Sequence, residues 1–170
     1  MTRKKQGKEV IVVGGGLAGL AAAMRLAEHG CHVRIISVTK VKRSHSVCAQ
    51  GGINAAMNLK AEDDSPIIHA YDTIKGGDFL GDQPPIVEMC FAGPGIIRMM
   101  DRLGCTFNRT PEGNIDFRRF GGTLYNRTAF CGASTGQQLL YSLDEQVRRF
   151  EAKGLVEKFE HHEFMRLVMD

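Results

Sequence analysis

No apolar run in this chain approaches the roughly 20 residues that a membrane-spanning helix needs. The basic N-terminus, Met1 to Glu9, is followed by a short apolar strand and a glycine turn. A secretory signal would instead carry an apolar stretch of about 7–15 residues and a small-residue cleavage site. The five cysteines, Cys31, Cys48, Cys90, Cys105 and Cys131, are odd in number and form no Cys-x-x-Cys pair. That pattern points to a reducing compartment and argues against a disulfide framework and against zinc or iron–sulfur ligation. The Asn-x-Thr sequons at Asn108 and Asn126 are then accidental. Charge of one sign is also scarce: 22 Lys and Arg face 19 Asp and Glu, a net +3. This excess is too small to argue for a nucleic-acid partner, and the Arg3–Lys8 cluster reads as a solvated tail. His161-His162, between Glu160 and Glu163, reads as an exposed polar turn, so no metal site is expected. There is no internal repeat and no low-complexity segment. What remains is 170 residues, 43% hydrophobic and 24% charged, enough for one globular domain with its own core.

Glu9–Val13 is a β-branched run that predicts a buried strand. A helix is predicted from Leu17 to His29, with Gly30 as its left-handed stop, and a second strand from Val33 to Val38. Strand, glycine turn, helix and strand within about 30 residues suit a parallel βαβ unit. Ile53–Leu59 is read as the start of a helix. Asp63-Asp64-Ser65-Pro66 offers cap residues and then proline in the first turn, so a helix should begin there and end at Gly76-Gly77. Pro84-Pro85 opens another helix running to Leu103, which Gly93-Pro94-Gly95 should break or kink before Gly104 ends it. Cys105–Arg109 and Ile115–Phe117 read as short strands around the turn Thr110-Pro111-Glu112-Gly113. Arg118–Gly136 is irregular. Gln137–Lys153 is amphipathic, with Leu139, Leu140, Leu143, Val147 and Phe150 on one face. Ser134 or Thr135 caps it and Gly154 stops it. Val156–Phe159 and Phe164–Val168 read as strands, the second running to the end of the chain, which is the pattern of a piece of a longer protein. The fold class expected is α/β: a Rossmann-like dinucleotide-binding domain with a parallel sheet, incomplete at its C-terminal end.

Two stretches carry chemistry. Gly14-x-Gly16-x-x-Gly19 lies between the first strand and the first helix. Such glycines permit a tight turn, a close approach of pyrophosphate to the backbone, and helix–sheet packing, with the helix N-terminus facing the phosphates. An NAD-type site would place Asp or Glu at the end of the second strand. Ser37 stands there, 23 residues after Gly14, with Lys40, Lys42 and Arg43 behind it. A serine still serves a ribose hydroxyl, and the cations leave a 2′-phosphate, hence NADP, as an alternative. The second stretch runs from Arg43 to Gly52: Arg-Ser-His-Ser-Val-Cys-Ala-Gln-Gly-Gly. Its residue types leave three roles open for His45: an ordinary loop histidine, a general acid or base, or a nucleophile that attaches to a cofactor. The following glycines, lacking Cβ atoms, would let backbone approach a flat ring.

The run Arg43-Ser44-His45-Ser46-x-x-Ala49-Gln50-Gly51-Gly52, after this βαβ unit, resembles the flavoprotein subunits of succinate dehydrogenases and fumarate reductases. Further matches are Gly76-Gly77-Asp78-Phe79-Leu80, Asn108-Arg109-Thr110-Pro111-Glu112-Gly113, Asp116-Phe117-Arg118-Arg119-Phe120-Gly121-Gly122, Arg127-Thr128-Ala129 and Thr135-Gly136. A serine at the position of Ser37 is usual in that family. L-aspartate oxidase, a relative without the covalent flavin, would have another residue in place of His45.

The resemblance implies FAD, held covalently by His45 through the flavin 8α-methyl group. The cofactor-binding residues it implies are Gly14, Gly15, Gly16, Leu17, Ala18 and Gly19 at the pyrophosphate, Ser37, Val38 and Lys40 toward the adenosine end, and Ser44, His45, Ser46, Ala49, Gln50, Gly51 and Gly52 along the flavin ring. It implies succinate–fumarate interconversion, with electrons leaving to an iron–sulfur subunit and quinone, and attachment through membrane anchor subunits at the cytoplasmic face of the membrane. No catalytic residue is assigned within the chain; Phe120 is a possible dicarboxylate contact. Arg118, Arg119 and Arg127 are candidate carboxylate clamps, most of them expected to be structural. The 170 residues are expected to be the N-terminal part of an FAD-binding domain, with the capping domain and C-terminal part absent, and to be inactive alone. Two alternatives are an NADP-binding oxidoreductase domain and a non-catalytic nucleotide-binding remnant.

Overall fold

The computed structural model describes residues 7–169; the Arg3–Lys8 cluster lies outside them as far as residue 6. The chain forms two compact units, residues 1–48 with 139–170, and residues 49–138.

The first unit is built on a parallel sheet in the order β1-β2-β6, made of Glu9–Val13, His32–Ser37 and Val156–Glu160. β1 and β2 are joined by α1, Leu17–Glu28, so the sequence-derived βαβ unit is present with its boundaries moved by one residue. Leu20, Ala23, Met24 and Ala27 recur at helical spacing and form the buried stripe of α1. Val33, Ile35 and Ser37 alternate inward along β2. β6 joins the far edge of β2, with the Val33 N–H donating to the Leu155 carbonyl at 2.8 Å. Helix α4, Thr135–Glu151, enters this unit at Leu139 and buries Leu139, Leu140, Leu143 and Val147. Gly154, at φ +70°, stands where the stop was expected. Buried Asp144 holds Lys42 at 3.3 Å and Lys158 at 2.7 Å. The Phe164–Val168 strand does not form: Met165, Leu167 and Val168 are exposed, with no ladder partner among the described residues.

The second unit carries a small antiparallel sheet, β3-β5-β4, from Ile53–Asn54, Thr128–Ala129 and Phe117–Arg118. Two helices, α2 at Pro66–Gly76 and α3 at Gln83–Arg102, pack on one another. Ser65 caps α2 as the sequence predicts, its Oγ accepting from the Ile68 N–H at 3.4 Å. The expected break at Gly93-Pro94-Gly95 is absent: α3 runs through Pro94 unbroken. Proline forfeits one ladder donor, while Gly93 is buried against Ala55, where a Cβ would stand 3.3 Å from the alanine Cβ. The helix expected from Ile53 to Leu59 is also absent. Ile53 and Asn54 pair with β5, and the Ala55 N–H donates to the Arg127 carbonyl at 2.7 Å. Tertiary pairing there overrides a weak local preference. Of the expected strand Cys105–Arg109, only Arg109 bridges to Ile115, around the turn the sequence placed at residues 110–113. Buried Cys105 and Cys131 face each other with sulfurs 3.5 Å apart, and burial pushes both thiols up from their ordinary pKa. Among the described residues, no helix is long and apolar enough to cross a membrane.

Candidate functional site

The glycine turn is explained position by position in the first unit. Gly14 has φ +108°, a region L side chains rarely adopt, and its N–H donates to the Ile36 carbonyl at 2.8 Å. A Cβ on Gly15 would lie 2.6 Å from Val41 Cγ1 and 2.9 Å from Ser37 Oγ. A Cβ on Gly19 would collide with the Gly14 carbonyl oxygen. The turn therefore brings the start of α1 tight against the ends of β1 and β2. The next segment folds back on it in two single-turn 3₁₀ helices, Val41–Arg43 and His45–Cys48, where the sequence shows only loop. Ser46 Oγ accepts the Leu17 N–H at 3.3 Å, satisfying one of the orphan donors at the α1 N-terminus.

These pieces enclose a cavity of about 540 Å³ lined by Val13–Gly16, Ile36–Thr39, Arg43–Ser46, His162 and Phe164. Of the predicted cofactor residues it gathers Gly14, Gly15, Gly16, Ser37, Val38, Ser44, His45 and Ser46. Leu17, Ala18 and Gly19 do not line it; they are the first turn of α1. Lys40 lines a different, highly charged cavity with Asp144, Arg148 and Glu151. Lys42 is occupied by Asp144 and Glu145, which removes it from the basic trio that supported a 2′-phosphate. His45 is exposed, and among the described residues nothing hydrogen-bonds to its ring. Ser44 Oγ is buried with no hydrogen-bond partner. A glycine cradle, a helix N-terminus and an orphaned buried hydroxyl on one cavity suit a dinucleotide with a pyrophosphate.

Sequence reasoning missed His162 and Phe164, having read the first as part of an exposed polar turn. His162 is exposed, yet its N–H donates to the Ser37 carbonyl at 3.0 Å, its Nδ1 lies 2.8 Å from the Glu160 carbonyl, and its ring meets Phe159 edge-on. Only the pairing of β6 with β2 puts it there, and no local signal announces that pairing.

Ala49–Gly52 belongs to the second unit. The Ala49 carbonyl accepts from the Gly136 N–H at 2.7 Å, and Arg118 Nη2 donates to the Gln50 and Gly51 carbonyls at 3.3 and 2.7 Å. A Cβ on Gly51 would stand 2.5 Å from the Phe120 ring, and one on Gly52, at φ +119°, 2.5 Å from Thr128 Cγ2. The Cβ sides of both glycines are therefore closed by the protein itself, not left open for a ring. Phe120 packs on Gly51, lies under the Arg118 guanidinium at 5.5 Å and is half exposed. The candidate clamps are largely spoken for: Arg118 holds that backbone, Arg119 lies 3.6 Å from Glu62, and Arg127 is fully buried between Asp64 and Asp72. Glu62 also accepts from the Asn126 N–H and side-chain amide, which lowers its pKa from the ordinary value.

His69 and Asp72 share the i, i+3 spacing of a helix-surface pair on α2, but they do not form one. His69 is buried with Nδ1 unpartnered, and Asp72 reaches Arg127 at 2.9 Å. Burial, then the Arg127 charge, hold the His69 pKa below its ordinary 6.5, against the pull of Asp64 and Asp72. The unfolded chain takes up this proton near the ordinary value and the folded chain does not, so stability must fall as pH drops below that value. Denaturation midpoints compared from about pH 7.5 to about pH 5.5 should decline more steeply in the wild type than in His69→Gln, by up to about 1.4 kcal/mol per pH unit. Parallel curves would show that His69 is not the titrating group.

The sequence matches the family described as FAD binding domain over residues 9–170. The chain belongs to that family. This FAD binding domain is 63% identical over 161 residues to the succinate dehydrogenase flavoprotein subunit of Bacillus subtilis, covering 95% of this chain and 28% of that one. Its fold is similar to a chain of the Mycobacterium smegmatis Sdh1 complex, with a TM-score of 0.85 and 29% identity over 92% of this chain. It is similar also to a chain of Escherichia coli quinol fumarate reductase, with a TM-score of 0.81 and 31% identity over 94% of this chain. The chain spans about a quarter of the length of each: 28%, 28% and 26%. The family and the parallel βαβ architecture agree with the fold class expected from sequence. FAD, the cofactor implied there, agrees with the family too.

Proposed function

We propose that this chain is the N-terminal FAD-binding part of a flavoprotein that interconverts succinate and fumarate, passing electrons to an iron–sulfur subunit and a quinone. The observation that carries the proposal is the cavity of about 540 Å³ on which the glycine turn, Ser37 and His45 converge. The 63% identity to a succinate dehydrogenase flavoprotein subunit supports the choice of reaction. In this reading the backbone of Gly14–Gly16 and the α1 N-terminus hold the pyrophosphate, and Ser37 serves a ribose hydroxyl. Ser44 Oγ gives its unmet hydrogen bond to the cofactor. His162 and Phe164 wall the same cavity. Leu17, Ala18 and Gly19 act through the helix start they build; Lys40 has no assigned contact. Ala49, Gln50, Gly51 and Gly52 follow in sequence, and we assign their backbone to the flavin. Phe120, half exposed, is assigned as a contact for the dicarboxylate.

When bound, the flavin supplies the hydride acceptor for succinate oxidation. His45 would tether it through a bond from a ring nitrogen to the 8α-carbon, a coupling that releases two protons and two electrons and so needs an electron acceptor such as dioxygen. The full-length parent would dock on its iron–sulfur and membrane anchor subunits, peripherally, at the cytoplasmic face of the membrane. The 170 residues alone would turn over no succinate, since they make up about a quarter of the length of the relatives they match.

The test is reduction of the full-length parent. Succinate should bleach its flavin band, and fumarate should restore the band in the reduced protein. A parent that carries no flavin, or whose flavin responds to NADPH and not to succinate, overturns the proposal.

A further inference from the structure

We infer that Ser46 is a positioning residue for covalent flavin attachment: its bond to the start of α1 holds the His45 turn where the ring nitrogen can reach the flavin. This inference rests on the tether proposed above. His45 itself is held by nothing, being exposed and unbonded among the described residues. Residues 44–47 make few hydrogen bonds. The Ser44 N–H donates to Val41 and the Val47 N–H to Ser44, at 3.1 and 3.0 Å, and both bonds are internal to the 41–48 segment. Among the described residues, only Ser46 Oγ ties residues 44–47 to another element, through the Leu17 N–H at 3.3 Å. A Cβ on Gly16 would stand 3.2 Å from the same oxygen, so the glycine turn is shaped to admit this contact.

The consequence is kinetic. Bond formation needs the reacting atoms within about 3–3.5 Å and aligned, so it responds steeply to the placement of the turn. A serine hydroxyl that accepts from Leu17 keeps its own proton for donation to a phosphate oxygen at the same helix start. Cofactor binding and His45 placement are then set by one side chain. Noncovalent affinity also rests on the glycine backbone, Ser37 and the helix N-terminus, so FAD at saturating concentration should still load without the hydroxyl. Attachment should not proceed at its normal rate. Loss of this tie should slow attachment roughly fivefold, the factor that about 1 kcal/mol represents.

The experiment uses the full-length parent, prepared flavin-free and then supplied with FAD. Total bound flavin is measured on the native protein, and covalent flavin by fluorescence of the denatured polypeptide over time. The experiment must therefore read conversion and not affinity: at saturating FAD, Ser46→Ala should convert bound flavin to covalent flavin roughly fivefold more slowly than the wild type, and Ser46→Thr should restore the rate. An unchanged rate in Ser46→Ala overturns the role. So does a fall of total flavin with the rate per bound flavin unchanged, which is what a serine that only binds would give, and so does a threonine variant no better than alanine. A wild-type polypeptide that stays dark overturns the tether itself, and is told apart by that control.

Discussion

Under the proposed tether, His45→Ala is expected to leave the denatured full-length polypeptide dark under ultraviolet light, with the wild type fluorescent. The loss should be complete and not partial. Attachment needs a nitrogen nucleophile free of other bonds and open to the cavity, and His45 meets both conditions. Its neighbours Ser44 and Ser46 offer hydroxyls, which are weak nucleophiles without an adjacent base. His162 is the other imidazole on the cavity, but its Nδ1 is engaged 2.8 Å from the Glu160 carbonyl. Fluorescence that persists in His45→Ala and vanishes in His162→Ala would move the tether to His162. The alanine variant should still bind FAD, because the glycine cradle and Ser37 are untouched.

The parts of this fold that sequence could reach are those whose cause is local. The stripe Leu20, Met24 and Ala27 and the stripe Leu139, Leu143 and Val147 each announce a helix by spacing, and both form. Ser65-Pro66 announces a helix start by its own hydrogen-bonding chemistry, and the start is there. Gly14 and Gly30 sit at positive φ, as their places in the turn and at the helix stop require. What failed depends on partners distant in sequence. β3 has only Ile53 and Asn54, too few to show a period, and Asn54 Oδ1 is fixed by Thr128 Oγ1 from 74 residues away at 2.6 Å. Phe164–Val168 carries a strand's composition, but a strand exists only when another chain segment pairs with it. Pro94 was read for its missing donor, while the burial of Gly93 beside Ala55 could not be seen.

The candidate site divides in the same way. The glycine turn, Ser37 and the histidine run were legible because each lies within one continuous βαβ stretch. His162 and Phe164 were not, since β6 reaches β2 only after the whole second unit has intervened. A Cβ at Gly51 or Gly52 is excluded by Phe120 and Thr128, groups far along the chain that no local signal announces. Lys40 followed Ser37 in sequence and was assigned to the same ligand, yet the turn after β2 sends it to the other cavity. Nearness in sequence misleads most where the chain reverses.

Arg127→Met is expected to destabilise the protein by about 3–5 kcal/mol, the usual cost of removing one partner from a buried ion pair. Arg127 is 0% exposed. Its Nε and Nη2 donate to Asp64 at 3.0 and 2.7 Å, and Nη2 also reaches Asp72 at 2.9 Å. Its guanidinium lies over the Tyr125 ring, 5.1 Å from the centroid, and its carbonyl takes the Ala55 N–H. One residue thus joins the entry to α2, the helix itself and the strand β5. Methionine keeps most of the stem and so isolates the charge. It leaves Asp64, which is 7% exposed, as a buried carboxylate without its counter-ion. Arg127→Lys should recover only part of the loss, because an ammonium cannot make the two-pronged contact to Asp64. Adding Asp64→Asn to Arg127→Met should regain part of it, by removing the stranded charge. Urea midpoints of the four proteins decide the matter. A shift below about 1 kcal/mol in Arg127→Met would mean that the pair contributes no more than an exposed one.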